Sequence, residues 1–443
     1  MYESITGLNG LWRSVGSAVL VTVLWVTATV FLTTCGDASS GELRSTKERA
    51  APTSTDAALV DLAKDNSAFA FDLYRALRVE EGNLFYSPYS ISLALAMTYA
   101  GASGQTESQM AETLYFTLSQ EKLHSTFNAL ALELASRGEG GQVKKGQEFR
   151  LNVVNAVWGQ QDHEFREAFL DILAESYGAG VRPADFVAAP EESRLTINDW
   201  VADNTEDRIK DLIPPDVIDP LTRMVLTNAI YFKAAWAFPF DAANTRDHPF
   251  YLLDGSSVDV PMMSSEEEFS YAAGDGYQVV DLPYAGFALS MIIMLPDKGQ
   301  FAAFEASLDA ALVDRIVANF GERLVELDLP KFTYESQFRL GETLRSMGMS
   351  DAFASDAADF SGMDGKSCLA GDPECLYIRE VVHKAFVSVD EKGTEAAAAT
   401  AVVMQTESAP PPRVKVTVDR PFIFLIRDRA TGSILFVGRV THP

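Results

Sequence analysis

Residues 390–400 read Asp-Glu-Lys-Gly-Thr-Glu-Ala-Ala-Ala-Ala-Thr, and no other stretch limits so sharply what this chain can become. From Thr394 to Thr400 every residue is small except Glu395. Four consecutive alanines favour helix, yet each of these side chains is small enough to slide between two existing strands. With side chains alternating along an extended chain, Thr394, Ala396, Ala398, Thr400, Val402 and Met404 share one face. That face carries no charge, and Glu395 falls on the other. No proline occurs in 391–409, so every backbone N–H there can join a ladder. An alternating apolar strand, 385–389, precedes the segment, and three prolines, 410–412, follow it. Alone, the segment reads as alanine-rich helix or linker. In context it is fit to be an exposed loop in one state and a central strand in another.

The rest of the chain supplies a sheet for such a strand to enter. Leu59, Leu62, Phe69, Leu73 and Leu77 recur near helical spacing, which predicts an amphipathic helix over 57–79. Ser87 and Pro88 then suit the N-cap and first position of a helix over 88–100 that is apolar nearly all round, and therefore buried. Thr106-Glu-Ser-Gln109 has the pattern of a capping box opening the next helix. Helical patterns follow at 165–177 and 191–210. Strands are expected at 151–158, 224–233, 288–295, 324–329, 414–418, 422–426 and 433–440. Helices dominate early and strands late, which reads as α+β.

Composition narrows the function. The chain of 443 residues carries 62 acidic against 36 basic residues, a net charge of −26. Nucleic acid is excluded as a partner, because phosphates would be repelled, and no basic stripe suggests another polyanion. An enzyme should show a nucleophile with its base, a metal-ligand set or a phosphate loop. There is no Gly-x-Ser-x-Gly, no His-Glu-x-x-His and no Cys-x-x-Cys, and the five histidines form no ligand spacing. No catalytic residue, metal or cofactor is expected.

Five blocks carry a family resemblance. They are Ser-Pro-Tyr-Ser-Ile at 87–91 with Gly-Ala-Ser-Gly-Gln-Thr at 101–106, Leu-Thr-Asn-Ala-Ile-Tyr-Phe-Lys-Ala-Ala-Trp at 226–236, and Val-His-Lys-Ala at 382–385 leading into Glu391-Lys392-Gly393-Thr394. Asp-Arg-Pro-Phe at 419–422 and Phe-Val-Gly-Arg-Val at 436–440 complete them. In this order they resemble the serpins, a family of protease inhibitors. Ala234 departs from the family's usual glycine, and the loop around Cys368 and Cys375 looks like an insertion.

The resemblance implies one large domain over 57–443, although length alone suggests roughly three. It implies a large central sheet, further sheets, surrounding helices and an exposed reactive loop. The hinge of that loop would be Glu391, Gly393, Thr394, Ala396, Ala398 and Thr400. The implied activity is irreversible, suicide-substrate inhibition of a serine, or else a cysteine, protease. The cleaved loop enters the sheet while the protease remains bound as a covalent acyl complex. The alternative is a non-inhibitory binding or carrier protein. Sixteen positions after Glu391 stands Glu407, so the bait bond is expected at Glu407–Ser408, with Met404 and Thr406 as alternatives. Ser87, Ser90, Asn228 and His383 match positions that meet beneath the central sheet, and Trp236 matches a tryptophan near the top of its opening. A monomer is expected.

Arg13 followed by an apolar stretch, 15–32, reads as an export segment. Leu32-Thr33-Thr34-Cys35 resembles a bacterial lipoprotein signal, which would make Cys35 a lipidated membrane tether. An ordinary signal peptide and an uncleaved anchor are the alternatives. Residues 36–56, polar and of mixed charge, read as a flexible tether. An exported location, extracellular, periplasmic or at the cell surface, suits a disulfide closing the short loop between Cys368 and Cys375.

Overall fold

The computed structural model describes residues 41–137, 149–372, 374–394 and 413–443. Thr55 caps α1 (Asp56–Leu77) by accepting the Ala58 N–H. Ser87 caps α2 (Pro88–Tyr99) by accepting from Ser90 N–H, and all twelve residues of α2 are buried. The expected capping box does not form. Instead α3 (Gly104–Leu114) begins after Ser103 with no side-chain cap. Thr106 lies inside the helix and accepts from the Asp359 N–H, while Gln109 accepts from that of Asp351. Tertiary partners have claimed both side chains of the box. After α4 (Gln120–Ser136) come α5 (Glu167–Ile172), continued by a π-turn at Leu173–Tyr177, and α6 (Pro190–Asn204). α6 stops short of residue 210 because the Thr205 hydroxyl bonds back to Val201 O and accepts from Ile209 N–H, turning the chain.

The strands are β1 (Leu84–Tyr86), β2 (Phe149–Gln160), β3 (Val181–Ala184), β4 (Met224–Ala235), β5 (Arg246–Tyr251), β6 (Ser257–Gly274), β7 (Tyr277–Pro283), β8 (Leu289–Pro296), β9 (Gly321–Pro330), β10 (Phe332–Arg339), β11 (Val381–Asp390), β12 (Gly393–Thr394), β13 (Arg413–Thr417), β14 (Phe422–Asp428) and β15 (Ile434–Val440). Among the described residues they form two sheets. Nine strands run β1-β15-β14-β8-β7-β6-β9-β13 with β5 on β6, and six run β10-β11-β12-β4-β2-β3. This is an α+β fold with one principal core.

The six-stranded sheet is covered on both faces. Residues of α2 and of the nine-stranded sheet pack on one side. Ile197 and Val201 of α6, with Ile209, Leu212 and Ile213 after it, pack on Trp158, Val225, Ala229 and Val382 on the other. Double coverage explains why β4 reads as a nearly continuous apolar run rather than an alternating one.

The polar segment before α1 is a correction to the sequence reading. From residue 41 it is not a free tether but lies along the domain. Leu43 and Val181 exchange both backbone hydrogen bonds, at 2.7 and 3.0 Å, which adds a bridge to the edge of β3. Lys47 pairs with Asp171 and Glu175, and Ser54 bonds Thr126. An edge strand offers unpaired backbone groups regardless of side-chain polarity, so composition gave no warning. Cys368 and Cys375 are joined by a disulfide, with Cα atoms 5.1 Å apart. No helix among the described residues is long and apolar enough to cross a membrane. Cys35 lies outside the described residues.

Gly180 tests the strap, since a Cβ there would lie 2.4 Å from the Leu43 carbonyl oxygen. Gly180→Val should detach residues 41–50, expose them to limited proteolysis and lower stability by about 2 kcal/mol, the worth of two backbone hydrogen bonds. Unchanged protease resistance would show that the strap is not held there.

Candidate functional site

The central observation is how β4 and β11 part. Both run in the same direction, and they pair in parallel from Leu226 with Val381 to Tyr231 with Phe386. Beyond that point they separate, and the two residues of β12 fill the gap. Thr394 pairs with Val389 on one side and Ala234 on the other, and Gly393 with Asp390 and Ala235, antiparallel to both neighbours. The hinge has therefore already started a strand at the top of the sheet, where a seam of six residue pairs closes the way below.

Local contacts fix this start. Gly393 is required by close approach, because a Cβ would lie 2.2 Å from the Ala234 carbonyl oxygen. Asp390 accepts from the Lys392 N–H and holds the turn. Trp236 donates its indole N–H to Asp390 O, donates its backbone N–H to Lys392 O, and stacks on Tyr284 at 4.7 Å. The Tyr284 hydroxyl bonds that of Thr394 at 2.7 Å, and Thr394 is 1% exposed. Glu391 takes hydrogen bonds from Lys331 and Thr245 at 2.8 Å each. Burial alone would raise its carboxyl, but those bonds and the Lys331 charge outweigh burial and hold it below the usual range.

A second group of polar residues lies where the seam is closed. His383 and Asn228 face one another across the parallel pair, and both are fully buried. The Ser87 N–H donates to His383 Nε2 at 3.1 Å, so the proton sits on Nδ1, which donates to Asn228 Oδ1. Asn228 Nδ2 in turn donates to Ser90 Oγ at 2.7 Å and to Asn155 Oδ1 at 2.6 Å. Asn155 Nδ2 closes the circuit on Ser90 O. The imidazole is held neutral, since burial pushes its pKa down to about 3. Phe338 stacks on the ring. Each of these groups would cost about 1–3 kcal/mol if left unpaired, which is why so polar a set can sit under α2.

Thus the structure brings together Ser87, Ser90, Asn228 and His383, and separately Trp236, Glu391, Gly393 and Thr394. Ala396, Ala398, Thr400, Met404, Thr406, Glu407 and Ser408 lie outside the described residues. Sequence reasoning missed Asn155, Tyr284 and Lys331. Asn155 was findable only as one of two amides, with Asn152, inside the apolar run 151–158. Tyr284 and Lys331 carry no local signal, since they reach the hinge from connections far away in the chain, just after β7 and between β9 and β10.

Known proteins share this fold. A family model described as serpin (serine protease inhibitor) matches residues 64–443. A serpin-like protein of Thermococcus kodakarensis is 41% identical over 380 residues, covering 85% of this chain and 84% of its own. Antithrombin-III of Mus musculus is 38% identical over 401 residues, covering 89% and 84%. Among solved structures, native tengpin, a thermophilic serpin, superposes with a TM-score of 0.77 at 31% identity, covering 90% of this chain and 98% of its own. Human thyroxine-binding globulin gives 0.75 at 31%, covering 87% and 99%.

The buried histidine makes a pH prediction. Its folded pKa of about 3 lies below its ordinary value of about 6.5. Below pH 6.5 the unfolded chain binds a proton that the folded chain refuses, so the stability held above pH 6.5 is lost as pH falls towards 3. At pH 5, wild type should take up about one more proton on unfolding than His383→Gln. That is a difference in slope of about 1.4 kcal/mol per pH unit in denaturant titrations. Equal slopes would mean that His383 is charged in the fold.

Proposed function

We propose that this chain, a member of the serpin family, is an irreversible inhibitor that traps a serine protease by inserting its own cleaved loop. The observation that carries this reading is β12, a two-residue strand standing at the head of a closed parallel seam. The protease's serine oxygen attacks the bait carbonyl and forms an ester, and the new amine leaves on Ser408. The freed hinge then has a register to follow. Paired numbers total 628 between β12 and β4, and 783 between β12 and β11. Continued downward, the same register sets Ala396 opposite Phe232 and Val387, and Ala398 opposite Ile230 and Ala385.

Thr400 then falls between Asn228 and His383. Its hydroxyl can offer the two residues a partner at the moment their mutual bond is broken, so the seam opens without orphaning either group. Met404 reaches Met224, the first residue of β4, and a bait at Glu407 is carried past the far end of the sheet with the protease attached. The inserted strand replaces six parallel pairs with antiparallel pairs on both sides. This gain supports a native state held by a kinetic barrier rather than by lowest free energy.

A glutamate bait calls for a protease with a basic specificity pocket. Cys35 as a lipid anchor would hold the inhibitor at a cell surface, where exported proteases act. Likeness to thyroxine-binding globulin supports the second reading, a carrier without inhibition. The small uncharged residues Thr394, Ala396, Ala398 and Thr400 argue for the inhibitor, because bulk or charge there would slow insertion.

Incubation of the full chain with a glutamyl endopeptidase, a subtilisin and an elastase should give a band that survives denaturation near the summed mass, and a peptide beginning at Ser408. If no protease gives that band, the cleaved protein is heated. A large rise in melting temperature keeps insertion; no rise establishes the carrier. In the same assay Thr394→Arg, which sets a charge against Tyr284 between two strands, should turn inhibitor into substrate. If it inhibits as well as wild type, the inward face is misassigned.

A further inference from the structure

A cavity of about 220 Å³ lies between α2, α4, β2 and the π-turn after α5. Leu93 and Met97 of α2, Leu134 of α4, and Leu151 and Val153 of β2 supply apolar walls, with Tyr89 and Tyr177 alongside. Two of its polar groups are already engaged. Tyr177 Oη is bonded to His124 Nδ1, and both ends of the Asn155 amide are used in the buried network. The interior therefore suits hydrocarbon and offers water little.

The rim carries the opposite character. Arg49, on the strap that precedes α1, borders the cavity. Its Cδ lies 3.3 Å from where a Gly178 Cβ would sit, and its Nε donates to Asn128 Oδ1 at 2.8 Å. That bond fixes the guanidinium and leaves both terminal nitrogens for another acceptor. No acidic side chain lies within ion-pair distance of it among the described residues. Its strap neighbour Lys47 holds two carboxylates, Asp171 and Glu175. With 62 acidic residues to 36 basic ones, a positioned arginine without a carboxylate is out of keeping with its surroundings. Burial without a counter-charge also holds its pKa below the usual value.

We propose that this cavity binds a monocarboxylate with an unbranched apolar tail of medium length, the tail in the cavity and the carboxylate on the terminal nitrogens of Arg49. A planar guanidinium meets a carboxylate through two parallel hydrogen bonds. The single arginine, with Lys47 already engaged, suits one negative charge rather than a phosphate. A dry apolar cavity of about 150 Å³ accommodates benzene, so this one accommodates roughly nine carbons, which makes decanoate the matching probe.

The test is calorimetric titration of the full chain with decanoate, decanol and acetate, below the concentrations at which the amphiphiles aggregate. Decanoate should bind saturably at one site, decanol at least about tenfold more weakly, since a charge-assisted bond is lost, and acetate not at all. Arg49→Gln should bring decanoate down to the level of decanol. Because Arg49→Gln also takes the Nε bond from the buried Asn128, each variant is titrated well below its own melting temperature, so that lost binding is not lost folding. Ala131→Phe, which fills the cavity from α4, should abolish binding of both. Absence of saturable decanoate binding to wild type, or undiminished binding to Arg49→Gln, overturns the proposal. Protease trapping is a separate readout, so neither result depends on it.

Discussion

Six parallel residue pairs between β4 and β11 hold the six-stranded sheet shut, and the other features of the site are arranged around that seam. A parallel ladder has slanted hydrogen bonds and is slightly less stable per residue than an antiparallel one. At its upper end the seam is already forced apart by Gly393 and Thr394, which bond to both neighbours in the better antiparallel geometry. The chain thus contains a weaker pairing and the beginning of the strand able to replace it. Residues that pair in the seam must let go before a new strand can take their place.

The polar circuit beneath the seam belongs to the same arrangement. Hydrogen bonds tie β11 and β4 to α2 and β2 through His383, Asn228, Ser90 and Asn155. In so buried a place an unpaired group is costly, so the circuit resists partial opening and favours an all-or-none change. At the top, Trp236 and Tyr284 form a stacked plate against which the turn of the hinge is bonded. Ala234, which departs from the family's usual glycine, still lets the hinge approach, because the close contact falls on its backbone and the small residue needed is Gly393.

Much of this was legible beforehand. Gly393 and Thr394, read as the start of a segment able to enter a sheet, do pair with a strand on each side. Ser87 and Pro88 announced the start of α2, and the apolar run 224–233 announced the strand β4. Where local reading failed, a distant group had intervened. Thr106 and Gln109 have the spacing of a capping box, but Asp359 and Asp351 occupy them. Residues 41–55 have the composition of a tether, but an open strand edge and two acidic side chains hold them down.

The sequence by itself determined which residues could enter a sheet, because size, charge and the absence of proline are properties each residue carries wherever it lies. It also determined, through five ordered blocks, the family to which the chain belongs. Only the tertiary structure decided that the hinge has already entered by two residues, Gly393 and Thr394, and that Asn155, Tyr284 and Lys331 serve the site. These depend on which backbone hydrogen bonds pair which strands. Register between strands far apart in the chain is fixed by packing of the whole core, and no local pattern encodes it.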